Sequence, residues 1–467
     1  MVFSSVPFIF AFMPVTLIVC YLLRNNALQN IWLLMVSLLF YAWGGPSFLP
    51  VMLASILINY TGGIVLSVAR AERVRRACLW VFLLGNLTLL GYWKYFSFLA
   101  SEIERLMHIP LYIDPIVLPI GISFFTFQGM SYLIDCYRRE TAVQKNPLKV
   151  ALYIAMFPQL VAGPIVRYSE VNRQIDNRHC TIGQAAYGLR RFSIGLGKKV
   201  IIANSLAQTT DEIFALPPEE NLPAVAWLGA VTYLLQLYHD FSGYSDMAIG
   251  LGHLLGFHFP ENFRYPLTAR SVTDYWRRWH MSLGGWFRDY VYIPMGGSRQ
   301  GAGKTYRNIL FVWILTGIWH GANWTFLVWA LIFCSFILLE RTMRFPENPG
   351  ILAHGYVLLV ALIAQVIFNS PSVSHGFRYV ASMFGLLKTA GAGFDLCWYL
   401  NRYTVFMILV AAVGATPAAA NAWHRVKKHL PGMSGAIAAD ISAAGILAVS
   451  MMYVMTSTYN PFIYFQF

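Results

Sequence analysis

Two imidazoles in otherwise apolar surroundings are the groups in this chain best suited to acid–base chemistry. His320 sits in Leu315-Thr316-Gly317-Ile318-Trp319-His320-Gly321-Ala322-Asn323-Trp324, and His280 closes Trp276-Arg277-Arg278-Trp279-His280. A polar group stranded away from water costs roughly a few kcal/mol, so each ring must find a partner or do a job. Imidazole accepts a proton near neutral pH, which lets a positioned histidine activate a hydroxyl for attack on an acyl thioester. Asn323, three residues after His320 and with Trp319 nearby, offers a partner for the second ring nitrogen that would fix the tautomer. His280 either hydrogen-bonds the donor or orients His320; the same pattern also suits an aromatic-belt anchor with a polar tip. Arg277, Arg278 and Arg288 supply the planar fork of donors that phosphates take, such as those of a coenzyme A. The competing reading of these arginines is a positive lip against lipid head groups.

Other polar groups read differently. Tyr238-His239-Asp240-Phe241-Ser242-Gly243-Tyr244-Ser245-Asp246 has the composition of a nucleophile, a base and an acid. Ser242 is not on a GxSxG elbow, however, and Asp240 and Asp246 fall on different faces of a regular helix. The cluster is therefore expected to be a helix-packing polar network lining a cavity. Met295-Gly296-Gly297 lacks the spacing of a phosphate loop and reads as a turn. Tyr464, flanked by Phe462, Phe465 and Phe467, is either an outer-interface anchor or a phenol that reaches into the cavity and carries an acyl group for one step. The cysteines, at 20, 78, 136, 180, 334 and 397, never form CxxC pairs, and neither a metal site nor disulfides are expected.

The elements that must position these groups are membrane helices. Of the 467 residues 57% are hydrophobic and 12% charged, whereas a soluble protein carries about 25% charged residues. The net charge of +13 comes from short basic clusters between apolar runs, which is the positive-inside pattern and not a nucleic-acid footprint. Met1 onward reads as the first span and not as a cleaved signal. Spans are expected near 6–23, 28–43, 46–69, 77–100, 115–137 and 224–257, from Lys304 to His320, and over 323–340, 351–369, 403–419 and 437–459. That makes an all-α integral membrane protein of roughly eleven spans. Phe157 to Pro164 reads as re-entrant, and 181–207 (with Arg190, Arg191, Lys198 and Lys199) and 271–297 as interfacial helices. Arg70, Arg73, Arg75 and Arg76 put their loop in the cytoplasm, and Arg425, Lys427 and Lys428 do the same for theirs, so both termini fall outside. Nothing marks a separate soluble domain. The chain reads as one membrane domain, with N-terminal helices over 1–147, a catalytic core over 148–345 and C-terminal helices and tail over 346–467. No internal repeat supports a transporter built on inverted halves, although a polysaccharide or lipid transporter and a non-catalytic scaffold stay open from the residues alone.

The strings Asp240 to Gly250, Glu261-Asn262-Phe263, Tyr275 to His280 and Leu315 to Asn323, with Met1 to Ser5, Pro119 to Phe124 and Phe157 to Pro164, resemble the membrane-bound O-acyltransferase family. More narrowly, they are similar to its bacterial branch serving alginate O-acetylation and the acetylation and D-alanylation of wall polymers. The resemblance implies a helical bundle around a central cavity in the inner membrane, with His320 essential and His280 a second required polar residue. It implies no tightly bound cofactor, a cytoplasmic acetyl-CoA donor, and an extracytoplasmic partner acyltransferase that completes transfer to a polysaccharide. Among the acceptors it leaves open are alginate and peptidoglycan. The ending around Tyr464 is similar to the aromatic-Tyr-Phe tails of this branch, which implies that Tyr464 relays the acyl group.

Overall fold

The computed structural model describes all residues except 109, 111–113, 115, 344–349, 389–393, 431, 458 and 462–467. Among the described residues every regular element is a helix. Six helices among the described residues have the length and apolarity of a membrane span: Asn26–Trp43, Pro46–Val68, Glu72–Met107, Trp324–Thr342, Leu352–Asn369 and Met433–Thr456. A seventh is counted if Arg402–Gly414 and Ala418–His429, bent by 69°, form one broken span. Helices also cover the other four expected spans. Phe8–Leu22 and Ile122–Arg138 are short, Ala302–His320 carries Lys304, Arg307 and Asn308 in its first two turns, and Pro223–Leu254 carries buried His239, Asp240 and Asp246, so length and apolarity alone do not establish eleven. The chain divides into two compact units, one of residues 1–192 with 247–260 and one of residues 193–246 with 261–467.

In the first unit, α1 (Phe8–Leu22), α2 (Asn26–Trp43), α3 (Leu49–Val68), α4 (Glu72–Met107), α5 (Ile122–Arg138) and α6 (Pro147–Ala155) follow one another. Phe3, Phe8, Phe12, Phe40 and Phe157 interlock, with ring centroids 4.8 Å apart for Phe3–Phe8 and 5.2 Å for Phe12–Phe157, which ties the N-terminal stretch into the core. Small residues let helices approach, as is usual where lipid gives no hydrophobic drive. A Cβ at Gly63 would lie 2.7 Å from the Tyr132 hydroxyl, and one at Gly129 would collide with the Asn59 amide. Asn59 and Asn86 exchange amide hydrogen bonds of 3.0 and 3.1 Å, satisfying two buried polar side chains at once. The expected re-entrant stretch is a single turn, Phe157–Leu160, buried throughout. Broken backbone is tolerated at such depth only when protein covers it.

In the second unit, α7 (Pro223–Leu254, as far as Asp246) packs against the end of the Ile182–Gly197 helix, where a Cβ on Gly243 would lie 2.7 Å from the Gly195 carbonyl oxygen. That close approach continues into a π-helical turn, Lys198–Ala203. Here the structure corrects the reading of 181–207 as a helix whose lysines face the membrane interface. Lys198 pairs with Asp246 at 2.7 Å and Lys199 with Asp240 at 2.8 Å, the latter pair only 3% exposed on each side. The two carboxylates do fall on different faces of α7, and both serve helix packing. His239 donates from Nε2 to the Ala411 carbonyl at 2.9 Å, holding α8 (Arg402–Gly414) against α7.

Candidate active site

Both candidate histidines stand at breaks between helices. α9 (Val272–Arg278) and α10 (Met281–Phe287) are joined by Trp279 and His280. α9 begins at Ser271, whose hydroxyl accepts from Asp274 N at 2.9 Å. Glu340, from α12 (Trp324–Thr342), adds a carboxylate at that helix start: it accepts from Thr273 N at 2.9 Å and from Val272 N. Negative charge belongs there, because the first amides of a helix lack intrahelical partners.

The turn out of α9 puts His280 at φ 45°, ψ 52°, a left-handed conformation that histidine adopts more readily than most residues but at some cost. Surrounding contacts hold it there. Arg264 N donates to the Arg278 carbonyl and Met281 N to the Asn262 carbonyl, each at 2.9 Å. The Asn262 side chain, fully buried, accepts at Oδ1 from Ser282 N at 3.2 Å, Ser282 Oγ at 2.9 Å and His280 Nδ1 at 3.2 Å. The backbone amide among these donors fixes which end of Asn262 is the oxygen. His280 Nδ1 must therefore carry the proton, leaving Nε2 as the basic nitrogen of the neutral ring.

α11 (Ala302–His320) ends on His320 because Gly321 is extended, and a Cβ there would sit 2.1 Å from the Phe326 ring. Asn323 then starts α12, its Oδ1 accepting from Thr325 N at 3.1 Å while its Nδ2 donates to the Pro371 carbonyl at 3.2 Å. Asn323 is thus a helix cap and does not hold the His320 ring, a correction to the expected tautomer contact. At Gly317 a Cβ would come within 2.9 Å of the Phe326 carbonyl oxygen, so α11 and α12 form a close hairpin. His320 is 8% exposed and packs edge-on against Trp329 at 4.8 Å and Phe368 at 5.5 Å. Trp319 touches both imidazoles, with centroids 5.0 Å from His320 and 5.7 Å from His280. Phe241 of α7 also packs edge-on against His280, with ring centroids 4.7 Å apart.

His280 lines a cavity of about 250 Å³ with Trp276, Phe287, Arg288, Trp313 and Thr316, the last of these one helical turn before His320. The side chain of Arg288 is 65% exposed and paired with Asp289 at 2.6 Å, so it marks the open edge of this cavity. Arg278 pairs with Asp274 at 2.8 Å, whereas Arg277 is exposed and has no hydrogen-bond or ion-pair partner among the described residues. The structure therefore gathers His280, Trp319 and His320, sets Arg288 at the rim, and turns Asn323 to a structural task. Tyr464 lies outside the described residues. Sequence reasoning missed Asn262 as the partner of the His280 ring. Asn262 stood in the Glu261-Asn262-Phe263 string, but no local pattern says which donors its oxygen meets.

These features define a helical membrane protein with one buried imidazole, His280, in a cavity wall and a second, His320, one helical turn beyond the wall residue Thr316, and comparison with known proteins gives that class a family. Residues 78–349, which include His280 and His320, match the model of the membrane-bound O-acyltransferase family. A probable alginate O-acetylase from Azotobacter vinelandii is 36% identical over 503 residues, covering all of both chains. A peptidoglycan O-acetyltransferase from Helicobacter pylori is 31% identical over 525 residues, covering all of this chain and 98% of its own. A teichoic acid D-alanyltransferase from Bacillus subtilis is 30% identical over 235 residues, covering 45% of this chain and 56% of its own. The chain belongs to the membrane-bound O-acyltransferase family.

Proposed function

We propose that the protein moves an acetyl group from cytoplasmic acetyl-CoA through the bacterial inner membrane for O-acetylation of an exported polysaccharide, alginate or a similar exopolymer. The observation that carries this reading is the cavity with His280 in its wall and Arg288 at its rim. At about 250 Å³ it is smaller than the ~300–1,000 Å³ of pockets that enclose a whole drug-sized ligand. Room for the acyl-thioester end, with the phosphates outside beside Arg288 and Arg277, fits that volume. His320 acts as general base, and Tyr464 is the first acceptor. The Tyr464 phenol loses its proton to His320 as its oxygen attacks the thioester carbonyl, the C–S bond breaks, and the imidazolium returns the proton to the departing thiolate. His280 orients the reacting carbonyl. A phenol has a pKa near 10 and leaves readily, so onward transfer to a sugar hydroxyl runs downhill. With the C-terminus outside, an extracytoplasmic acyltransferase collects the group and delivers it to the polymer.

Full-length similarity to a peptidoglycan O-acetyltransferase supports a second reading of the final acceptor, a wall polymer. Purified protein in lipid nanodiscs supplied with radiolabelled acetyl-CoA tests the reaction. Free thiol should appear with the wild type and fall about 10²–10⁴-fold in His320→Ala, the usual contribution of a general base. Tyr464→Phe should lose label from the C-terminal peptide. Unchanged thiol release in His320→Ala would sink the base assignment, and polymer export insensitive to that change would favour a transporter.

A further inference from the structure

Three side chains from one segment of the second unit reach the last described residues of the chain. Lys199 Nζ donates to the Pro461 carbonyl, Asn204 Nδ2 donates to Asn460 Oδ1 at 3.1 Å, and the Tyr459 hydroxyl donates to Asp211. Ser457 Oγ closes the turn before them by donating to the Tyr459 carbonyl at 3.1 Å. Lys199 is the inner member of the set. Its ammonium is buried, paired at 2.8 Å with Asp240, and Asp240 is followed in α7 by Phe241, the ring that packs on His280. A buried lysine is retained where its donors are used, and here they go in two directions at once, to α7 and to the tail.

We propose that Lys199 is a positioning residue that fastens the C-terminal tail to α7 next to the Phe241–His280 contact, with Asn204 and Asp211 as outer fastenings. The occupant of this dock is the chain's own 459–461 segment, so the two hydrogen-bonded ends and the ion pair act as one unit. The place of residues 459–461 against Lys199, Asn204 and Asp211 is then set by side-chain contacts and not by the length of the preceding helix, Met433–Thr456. This inference rests on the proposed acyl transfer only for its consequence in turnover; the fastening itself stands on the contacts.

Hydrogen exchange on the full-length protein in nanodiscs tests it, read on the C-terminal peptide containing Tyr459 and Asn460. Removing one buried charge alone could unfold the site, so the informative variant is the charge-balanced pair Lys199→Met with Asp240→Asn. Exchange in that peptide should quicken at least tenfold, while peptides from α3 and α5 keep wild-type rates. Lys199→Arg, which keeps charge and donors, should retain slow exchange; Asp211→Asn should give a smaller rise. In thiol-release assays the pair should lower kcat at least tenfold and leave KM for acetyl-CoA within twofold. Wild-type exchange in the tail peptide of the pair would overturn the fastening. Quickened exchange with unchanged kcat would overturn the positioning role. Absence of thiol release from wild-type protein would overturn the acyl-transfer reading, with the fastening still judged by exchange.

Discussion

Asn262→Ala removes an oxygen that accepts from three donors: His280 Nδ1, Ser282 N and Ser282 Oγ. Of these, the Ser282 hydroxyl can rotate to another acceptor, whereas the buried amide and the ring N–H cannot. A buried donor left without a partner costs about 1–3 kcal/mol, so two such donors place the loss of stability at roughly 2–6 kcal/mol. The catalytic effect is separable. Without Asn262 the Nδ1-protonated tautomer loses a bond worth about 1–1.5 kcal/mol, and 1.4 kcal/mol is tenfold in rate, so kcat for thiol release should fall roughly tenfold. KM should change little, since Asn262 is fully buried and is not in the cavity wall. Asn262→Asp preserves the accepting oxygen, and the amide group it replaces makes no hydrogen bond among the described residues, so this variant should recover most of the activity. Thermal unfolding in detergent and thiol-release kinetics report the two effects independently. If Asn262→Ala unfolded at the wild-type temperature and turned over at the wild-type rate, the account of how His280 is held would be refuted.

Gly321→Ala meets a steric obstacle and not a conformational one, because its φ of −179° suits any residue while a Cβ would land 2.1 Å from the Phe326 ring. Phe326 packs on Phe368 at 4.9 Å and Phe368 on His320 at 5.5 Å, so overpacking of about 1–3 kcal/mol should lower the unfolding temperature and shift His320 enough to cut thiol release about tenfold. Glu340→Ala strands the amides of Val272 and Thr273 at the start of α9 and should destabilise the protein by about 2–6 kcal/mol, measured by thermal unfolding. Arg288→Ala should raise KM for acetyl-CoA several-fold with kcat nearly unchanged. It should also flatten the salt dependence of KM, because an exposed charge acts through a screened field.

Much of the candidate site was legible in the sequence, and what was missed follows a pattern. His280 and His320 stand out because an ionisable ring in an apolar run must be satisfied or used, which is a local statement about a residue and its neighbours. The Gly296-Gly297 turn was equally plain, and both residues do adopt positive φ, 99° and 55°. Asn323 was misread although its true task is local: an Asn immediately before an apolar helix is a cap, and its oxygen bonds Thr325 N. Lys198 and Lys199 were misread because amphipathic periodicity tells which face is polar, not what that face meets. Packed against α7, it meets Asp246 and Asp240.

By itself, the order of residues determined the solvent, the helical class and the family, and marked two imidazoles as candidate reactive groups. Those properties depend on composition and on relations within a few turns of helix, which the chain carries whatever its neighbours do. Tertiary structure alone decided that Asn262 sets the His280 tautomer across 18 residues, that Trp319 contacts both rings, and that Lys199 joins α7 to a tail 262 residues away. Hydrogen bonds and ion pairs of that kind require donor and acceptor within about 3 Å, and which distant side chains come that close is settled only when the helices pack.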